Sequence, residues 1–401
     1  MFSACGLNIV FVGPLPPAPW GSAIVCGQVL PGLARLGHKV RAIAPITEEA
    51  RHFRDTFALT HPYIGVDRFS VPYFGTMNQP EPADYRRLER QQIQDKLHTL
   101  IMNERPDVIL IGREAYVFHV PDLARTHSIP CVMLVQGGAS TRVLDGTYPQ
   151  ALAYQFLEDC HKVDLIVAVA SHWAESLKTL GLDDVKAIAN PVDLQQFSPR
   201  PKDQRLLQSL GLDESDIIVL HASNLQNVKR PFDVVSSAQR ALEDNSDLVY
   251  VIVGDGELRK AMEVACRHGH ISERFRFVGW VDHSHMPDYI NLADIVVVPS
   301  EAEVQALLYL ETQACARVLV ASDIPAALEV ITDAETGLLF REGNVEDLTA
   351  KTLLAAGDSQ LRADIGHRAR KRVRTHDLNH VVSLYDAILM EVAERRERLD
   401  T

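Results

Sequence analysis

The chain has 401 residues, and 53 acidic against 40 basic side chains give it a formal net charge of −13. With 46% apolar and 23% charged residues it has the balance of a soluble globular protein with room for two domains, which excludes a disordered or fibrous class. The acidic excess argues against nucleic acid as a partner; a peripheral membrane contact stays open through local basic patches such as residues 368–374, RARKRVR. Six cysteines without Cys-x-x-Cys spacing, and a first apolar stretch (residues 7–12) of strand length without a basic leader, point to a reduced, cytoplasmic protein. No run approaches the roughly 18 apolar residues of a membrane helix.

Residues 7–13, LNIVFVG, read as a strand, followed by a Gly/Pro loop through Gly21-Ser22 and a helical pattern to residue 34. Strand, glycine loop and helix form the usual phosphate-facing unit of a doubly wound sheet, with a plain glycine turn as the alternative at Gly21. Gly-x-Gly-x-x-Gly is absent, which disfavours a dehydrogenase. Strands are expected at residues 39–45, 105–112, 129–138 and 163–170, joined by helical spacers in right-handed βαβ units. Between 51 and 92 the pattern is weak, Pro-rich and aromatic, and reads as irregular structure: a ligand-choosing segment or an ordinary surface excursion. Arg113, Glu114, Tyr116 and His119 follow one strand end and Gln136-Gly137-Gly138 another.

Residues 187–201, AIANPVDLQQFSPRP, have the composition of a hinge. A second domain restarts at residue 216. Lys229 and Arg230 precede Pro231 at a helix start, where clustered cations suit a diphosphate or simply face solvent. Gly254-Asp255-Gly256 ends another strand, and residues 275–294 supply a further strand with the turn Gly279-Trp280-Val281. His283 and His285 have a His-x-His spacing without the companions of a metal site. The β-branched run 293–298 ends at Pro299-Ser300, and the helix from Gln305 carries Leu307, Leu308, Leu310, Ala314 and Cys315 on one face. Glu311 lies on that face and must find donors, either an internal cation or ligand hydroxyls. Glu303 sits eight positions earlier, in the turn.

The pattern Glu303-x7-Glu311, preceded by Pro299-Ser300 and followed by Ala314-Cys315, residues 318–322 and Thr336-Gly337-Leu338-Leu339, resembles the retaining glycosyltransferases of family four. The Ser-Asn…Val-Lys-Arg stretch ending at Arg230 is similar to that of the glucosaminyl-malate synthases of bacillithiol biosynthesis. The resemblance implies an α/β chain of the GT-B fold, two Rossmann-like doubly wound parallel-sheet domains facing a cleft. It divides the chain into an acceptor-side domain at 1–190, a nucleotide-sugar domain at 191–375 and a crossing-back helix at 376–401. It implies transfer of a hexose from a nucleoside-diphosphate sugar to a hydroxyl acceptor, small molecule or glycan, with no metal and no cofactor beyond that co-substrate. Glu311 then faces the ribose and Glu303 the donor sugar, and catalytic roles fall to Lys229, Arg230 and Glu303. Gly21, Ser22, Asn224, Gly254, Trp280, Val281, Gln305, Ala306 and Leu307 join Glu311 around the donor, with Arg113, Glu114, Gln136 and Gly137 on the acceptor side. Val304, Gln136, Asn224 and Ala316 depart from the family pattern, so a degenerate nucleotide-sugar-binding member remains an alternative. A 2-epimerase or phosphorylase-like enzyme is the nearest enzymatic rival. Nothing in the sequence signals an oligomeric state.

Overall fold

The computed structural model describes residues 6–18, 20–47, 56–71 and 83–400. They fall into two compact units, Met1–Pro191 with Leu378–Thr401, and Val192–Asp377.

The first unit is built on seven parallel strands in the order β3-β2-β1-β4-β5-β6-β7: β1 (Asn8–Val12), β2 (Lys39–Thr47), β3 (Gly65–Val71), β4 (Val108–Ile111), β5 (Cys131–Val135), β6 (Leu165–Ala168) and β7 (Val185–Ala187). The central strands VILI, CVMLV and LIVA are buried along their whole length, as strands covered on both faces must be. The strand order reverses between β1 and β4, so the loops after these two strands diverge and leave room for a ligand at their carboxyl ends. The region expected to be irregular contains β3 and the helices Thr56–Thr60 and Ala83–Asn103. In β3 only Phe69 and Val71 are buried, the signature of a sheet edge, which yields no continuous apolar run. Pro72, Tyr73, Phe74, Pro80 and Pro82 lie outside the described residues.

The last helix, Leu378–Asp400, belongs to this unit. Val382 packs over Gly32, where an added Cβ would come within 2.4 Å of a Val382 methyl. His38 Nδ1 accepts from the Leu7 amide, so Nε2 carries the proton and donates to Asp386 at 2.8 Å. No helix among the described residues is long and apolar enough to cross a membrane.

The second unit has six parallel strands in the order β10-β9-β8-β11-β12-β13: β8 (Ile217–Ala222), β9 (Leu248–Val253), β10 (Phe275–Gly279), β11 (Ile295–Val298), β12 (Val318–Ser322) and β13 (Leu338–Phe340). Leu220, Val251, Val296 and Leu319 enter one apolar cluster, while Val219, Ile252, Val297 and Val320 enter the other. This is the period-two alternation of a sheet buried on both faces. Each such side chain contributes about 1.5–3 kcal/mol by leaving water. The order reverses between β8 and β11, so this unit's ligand position lies beyond the ends of those strands.

The helix Leu307–Ala314 ends just before Ala316, which stands at φ 54°. A left-handed alanine costs about 1–2 kcal/mol that glycine avoids. Ala316→Gly is therefore expected to stabilise the protein by roughly 0.5–1 kcal/mol after the added freedom of the unfolded chain is subtracted. A higher urea midpoint at unchanged slope would show it; an unchanged or lower midpoint would refute it.

Candidate functional site

Beyond β8 the backbone runs Ser223-Asn224-Leu225 into the single 3-10 turn Asn227–Lys229, and Arg230 leads into the helix Pro231–Asp244. Leu225 and Arg230 both take positive φ, at 42° and 47°. Strain of this kind persists only where surroundings over-determine it. Buried His221 supplies part of that determination. Its Nδ1 donates to the Val297 carbonyl at 3.0 Å, leaving Nε2 to accept from Ser223 Oγ at 2.9 Å, and Ser223 Oγ accepts from the Leu225 amide at 3.1 Å. Burial, helped by the Lys229 charge, pushes the His221 imidazole down to about 4, so the ring is neutral. Gly254, at φ 108°, and Gly256 let the loop after β9 meet this one backbone to backbone: an added Cβ would fall 1.9 Å from Ser223 O or 2.0 Å from Asn224 O. The Asn224 side chain is exposed.

The loop after β11 lies against the same turn, with the Glu301 amide donating to Val228 O at 2.9 Å. Lys229 Nζ donates to Glu303 Oε1 at 2.6 Å, and Ser300 Oγ donates to the same oxygen at 2.8 Å. The two charged side chains are 23% and 11% exposed, sheltered enough for the pair to matter more than a surface ion pair. Arg230 behaves differently from its expected partnership with Lys229. Its Nε reaches Asp233 at 2.7 Å and its Nη1 lies 3.5 Å from Glu342, because the left-handed backbone at Arg230 turns the side chain toward its own helix start.

Glu311 is buried on the inward face of its helix. Its Oε1 accepts from His283 Nε2 at 2.6 Å, a partner 28 positions away that belongs to the His-x-His spacing and not to a metal site. His285 does not join it; its Nδ1 lies 3.8 Å from Asp288. Among the described residues no three His, Cys, Asp or Glu form a metal-holding group. Trp280 is 66% exposed and Val281 half-buried beyond β10, where Gly279 takes φ 88°. Gln305 is buried, Ala306 is the N-cap, and Leu307 opens the helix.

In the first unit, Gly21 and Ser22 open the helix Gly21–Arg35 after an extended Trp20, without a side-chain cap. The Arg113 guanidinium lies 4.9 Å from the Trp20 ring and 5.4 Å from that of Tyr116, and Nη1 is 3.5 Å from buried Glu89. His119, also buried, stands 3.7 Å from the same Glu89. Glu114, expected on the acceptor side, is 4% exposed and turned inward. It accepts the amides of Gln136 at 3.1 Å, Gly137 at 2.8 Å and Ser140 at 2.6 Å. Burial pushes its carboxyl above the ordinary range, although those donors pull the other way. Glu114 is thus placed as the residue that holds the loop after β5.

Two all-parallel Rossmann-like sheets, each with a reversal of strand order, define the GT-B class. Residues 21–196 match the family described as Glycosyltransferase Family 4, and residues 202–372 the family described as Glycosyl transferases group 1. The chain belongs to these glycosyltransferases. It is 28% identical over 210 residues to N-acetyl-alpha-D-glucosaminyl L-malate synthase of Bacillus anthracis, covering 52% of this chain and 54% of that one. To the phosphatidyl-myo-inositol mannosyltransferase of Mycolicibacterium smegmatis it is 24% identical over 373 residues, covering 92% and 88%. The chain thus spans about half the length of the first of these relatives. The crystal structure of Anabaena HepE in complex with UDP-glucose superposes with a TM-score of 0.77 at 18% identity, covering 96% of this chain and 100% of that one, which shows the shared fold.

Proposed function

We propose that this chain is a retaining, metal-independent glycosyltransferase that moves a hexose from a nucleoside-diphosphate sugar to a hydroxyl acceptor in the cytoplasm. The observation that carries the reading is the Lys229–Glu303 pair, 2.6 Å apart beyond β8 and β11. A cation at the start of a helix meets a diphosphate, and the carboxylate beside it accepts from sugar hydroxyls. The bond from the sugar's anomeric carbon to the phosphate oxygen breaks with its electron pair going to the phosphate. The acceptor oxygen bonds to that carbon on the same face, and its proton passes to the departing phosphate, so no protein nucleophile is required. Lys229 stabilises the charge that develops on the leaving group. Gly21 and Ser22 are assigned to the donor and Arg113 to the acceptor, with Glu114 holding the Gln136-Gly137 loop.

The two carboxylates separate binding from turnover. Glu311→Gln is expected to weaken nucleotide binding roughly tenfold or more, the scale of a charge-assisted hydrogen bond, and more than Glu303→Gln does. Glu303→Gln is expected to lower kcat more, because it faces the sugar whose bond breaks. Calorimetry with free UDP and release of nucleoside diphosphate from UDP-glucose, UDP-N-acetylglucosamine and GDP-mannose measure the two effects. Equal losses for both variants would remove the assignment.

A further inference from the structure

The reaction just proposed gives His283 nothing to do, yet the fold holds this ring firmly. It projects from the 3-10 turn His283–His285, and its centroid lies 5.4 Å from that of Phe197, which is fully buried. Its Nε2 donates to Glu311 Oε1 at 2.6 Å, with side-chain exposures of 22% for the histidine and 7% for the acid. Among the charged groups on the elements packed around the pair, Arg370 donates to the Phe197 carbonyl at 2.8 Å and the Ala314 carbonyl at 2.6 Å, and Arg317 donates to the Asn291 carbonyl at 2.7 Å. Asp282 and His285 stand on the same turn, Asp288 on the helix Met286–Leu292, and Arg200 faces Asp288 at 3.6 Å from the Phe197 side. From the Glu311 helix comes Cys315, whose thiol burial pushes up to about 12 and so keeps neutral. Glu311 is therefore the strong anionic neighbour of the imidazole.

We propose that His283 is a specificity-determining residue of the nucleotide subsite: by occupying one oxygen of Glu311 it governs how that carboxylate receives a vicinal ribose diol, and it couples nucleotide affinity to its own proton. The inference rests on the reading that Glu311 faces the ribose. A carboxylate has about four acceptor positions on two oxygens, and the His283 N–H already takes one. A diol donating two O–H groups draws on the same charge that an imidazolium needs. Diol binding thus favours the neutral ring and, by linkage, releases a proton.

The operating range follows from the surroundings. Burial pushes the His283 imidazole down, but the Glu311 hydrogen bond, the Glu311 charge and Asp282 together overcome it, so its titration lies above the usual histidine value. Nucleotide affinity should rise as pH climbs through that range, above the usual histidine value.

The test is calorimetric titration with UDP, GDP and ADP from about pH 6 to about pH 8.5, together with the 2′,3′-dideoxy form of whichever binds best. Wild-type affinity is expected to rise roughly three- to tenfold over this range, short of the tenfold per pH unit that full release of one proton allows. Proton release should appear as a dependence on the buffer's ionisation heat. The dideoxy nucleotide should bind more weakly and keep only the pH dependence of its own terminal phosphate, whose second proton leaves at about pH 6. His283→Asn, which keeps an N–H donor without a titrating charge, should bind the nucleotide with only the residual dependence that the phosphate imposes, matching the profile of the dideoxy form. A wild-type profile no steeper than that of the dideoxy nucleotide, or one equally steep in His283→Asn, overturns the inference; if Glu311→Gln then still abolishes the preference for the diol, the ribose reading survives. If Glu311→Gln retains that preference, or none of the three nucleotides binds the wild type, the donor-site reading falls and takes the inference with it.

Discussion

Lys229→Ala is expected to lower turnover by roughly 10²-fold or more, the loss that follows removal of one preorganised charge contact from a developing anion. Breaking a glycosyl–phosphate bond places negative charge on the departing diphosphate. In the free protein the lysine is held by Glu303, and Ser300 holds the same carboxylate oxygen, so its position is set before any donor arrives and little reorganisation remains for the reaction itself. The side chains are partly sheltered, which makes the contact stronger than it would be in open water. The substitution also leaves Glu303 without its cation, so the thermal midpoint must be compared alongside kcat; a catalytic loss without a matching stability loss assigns the effect to the leaving group. Arg230 is not expected to substitute, because Asp233 and Glu342 already engage it. Release of nucleoside diphosphate from the donor panel supplies the assay. Activity should persist in chelator. Loss of activity in chelator that Mg²⁺ or Mn²⁺ restores would overturn the metal-independent mechanism, and indifference to Lys229→Ala would show that the phosphate lies elsewhere.

How much of this could be read from the sequence depends on whether burial left a mark. The core strands β4, β5, β6, β9 and β11 are continuous apolar runs because both faces are covered, and β1 and β8 depart from that only at Asn8 and His221, so period and length suffice to find them. The edge strands β3 and β7 escape that rule, since GVDRFSV and VKA bury little. Glu311 is visible in the sequence as an acid on an apolar helix face and Glu303 as the acid of the turn before it, and their partners are not. Lys229 meets Glu303 across 74 positions and His283 meets Glu311 across 28, pairings made by the parallel order of β8, β11 and β10 and by no local spacing. Glu114 looked like a ligand-facing acid because it follows a strand end. Only the path of the loop after β5, which brings three amides to its carboxylate, shows that it serves the backbone.

The second unit is expected to lose about 3 kcal/mol of stability between pH 6.5 and about 4 on account of His221 alone. The ring falls from an ordinary 6.5 to about 4 in the folded state. At about 1.4 kcal/mol per pH unit, the unfolded chain gains that much by taking up a proton the folded chain refuses. A group depressed in this way contributes stability that is full above the unfolded value and drains as pH falls toward the folded one. His283 works in the opposite sense: raised by Glu311, it adds stability that is complete below 6.5 and is lost as pH rises through its folded value. The two histidines must therefore be separated by substitution. In wild-type protein, urea unfolding at about pH 7.5 and about pH 5 should show a loss of roughly 2 kcal/mol attributable to His221, and His221→Gln should flatten that slope; equal slopes in the two proteins would refute the assignment. The local consequence reaches the site. A protonated His221 can no longer accept from Ser223 Oγ, the hydroxyl that receives the Leu225 amide. The left-handed turn at Leu225 then loses a support in the loop that carries Lys229, while the two positive charges repel across the same loop. Amide exchange at Leu225 should accelerate below about pH 5 ahead of the β8 amides, and exchange that quickens uniformly across the unit would place the acid-sensitive group elsewhere.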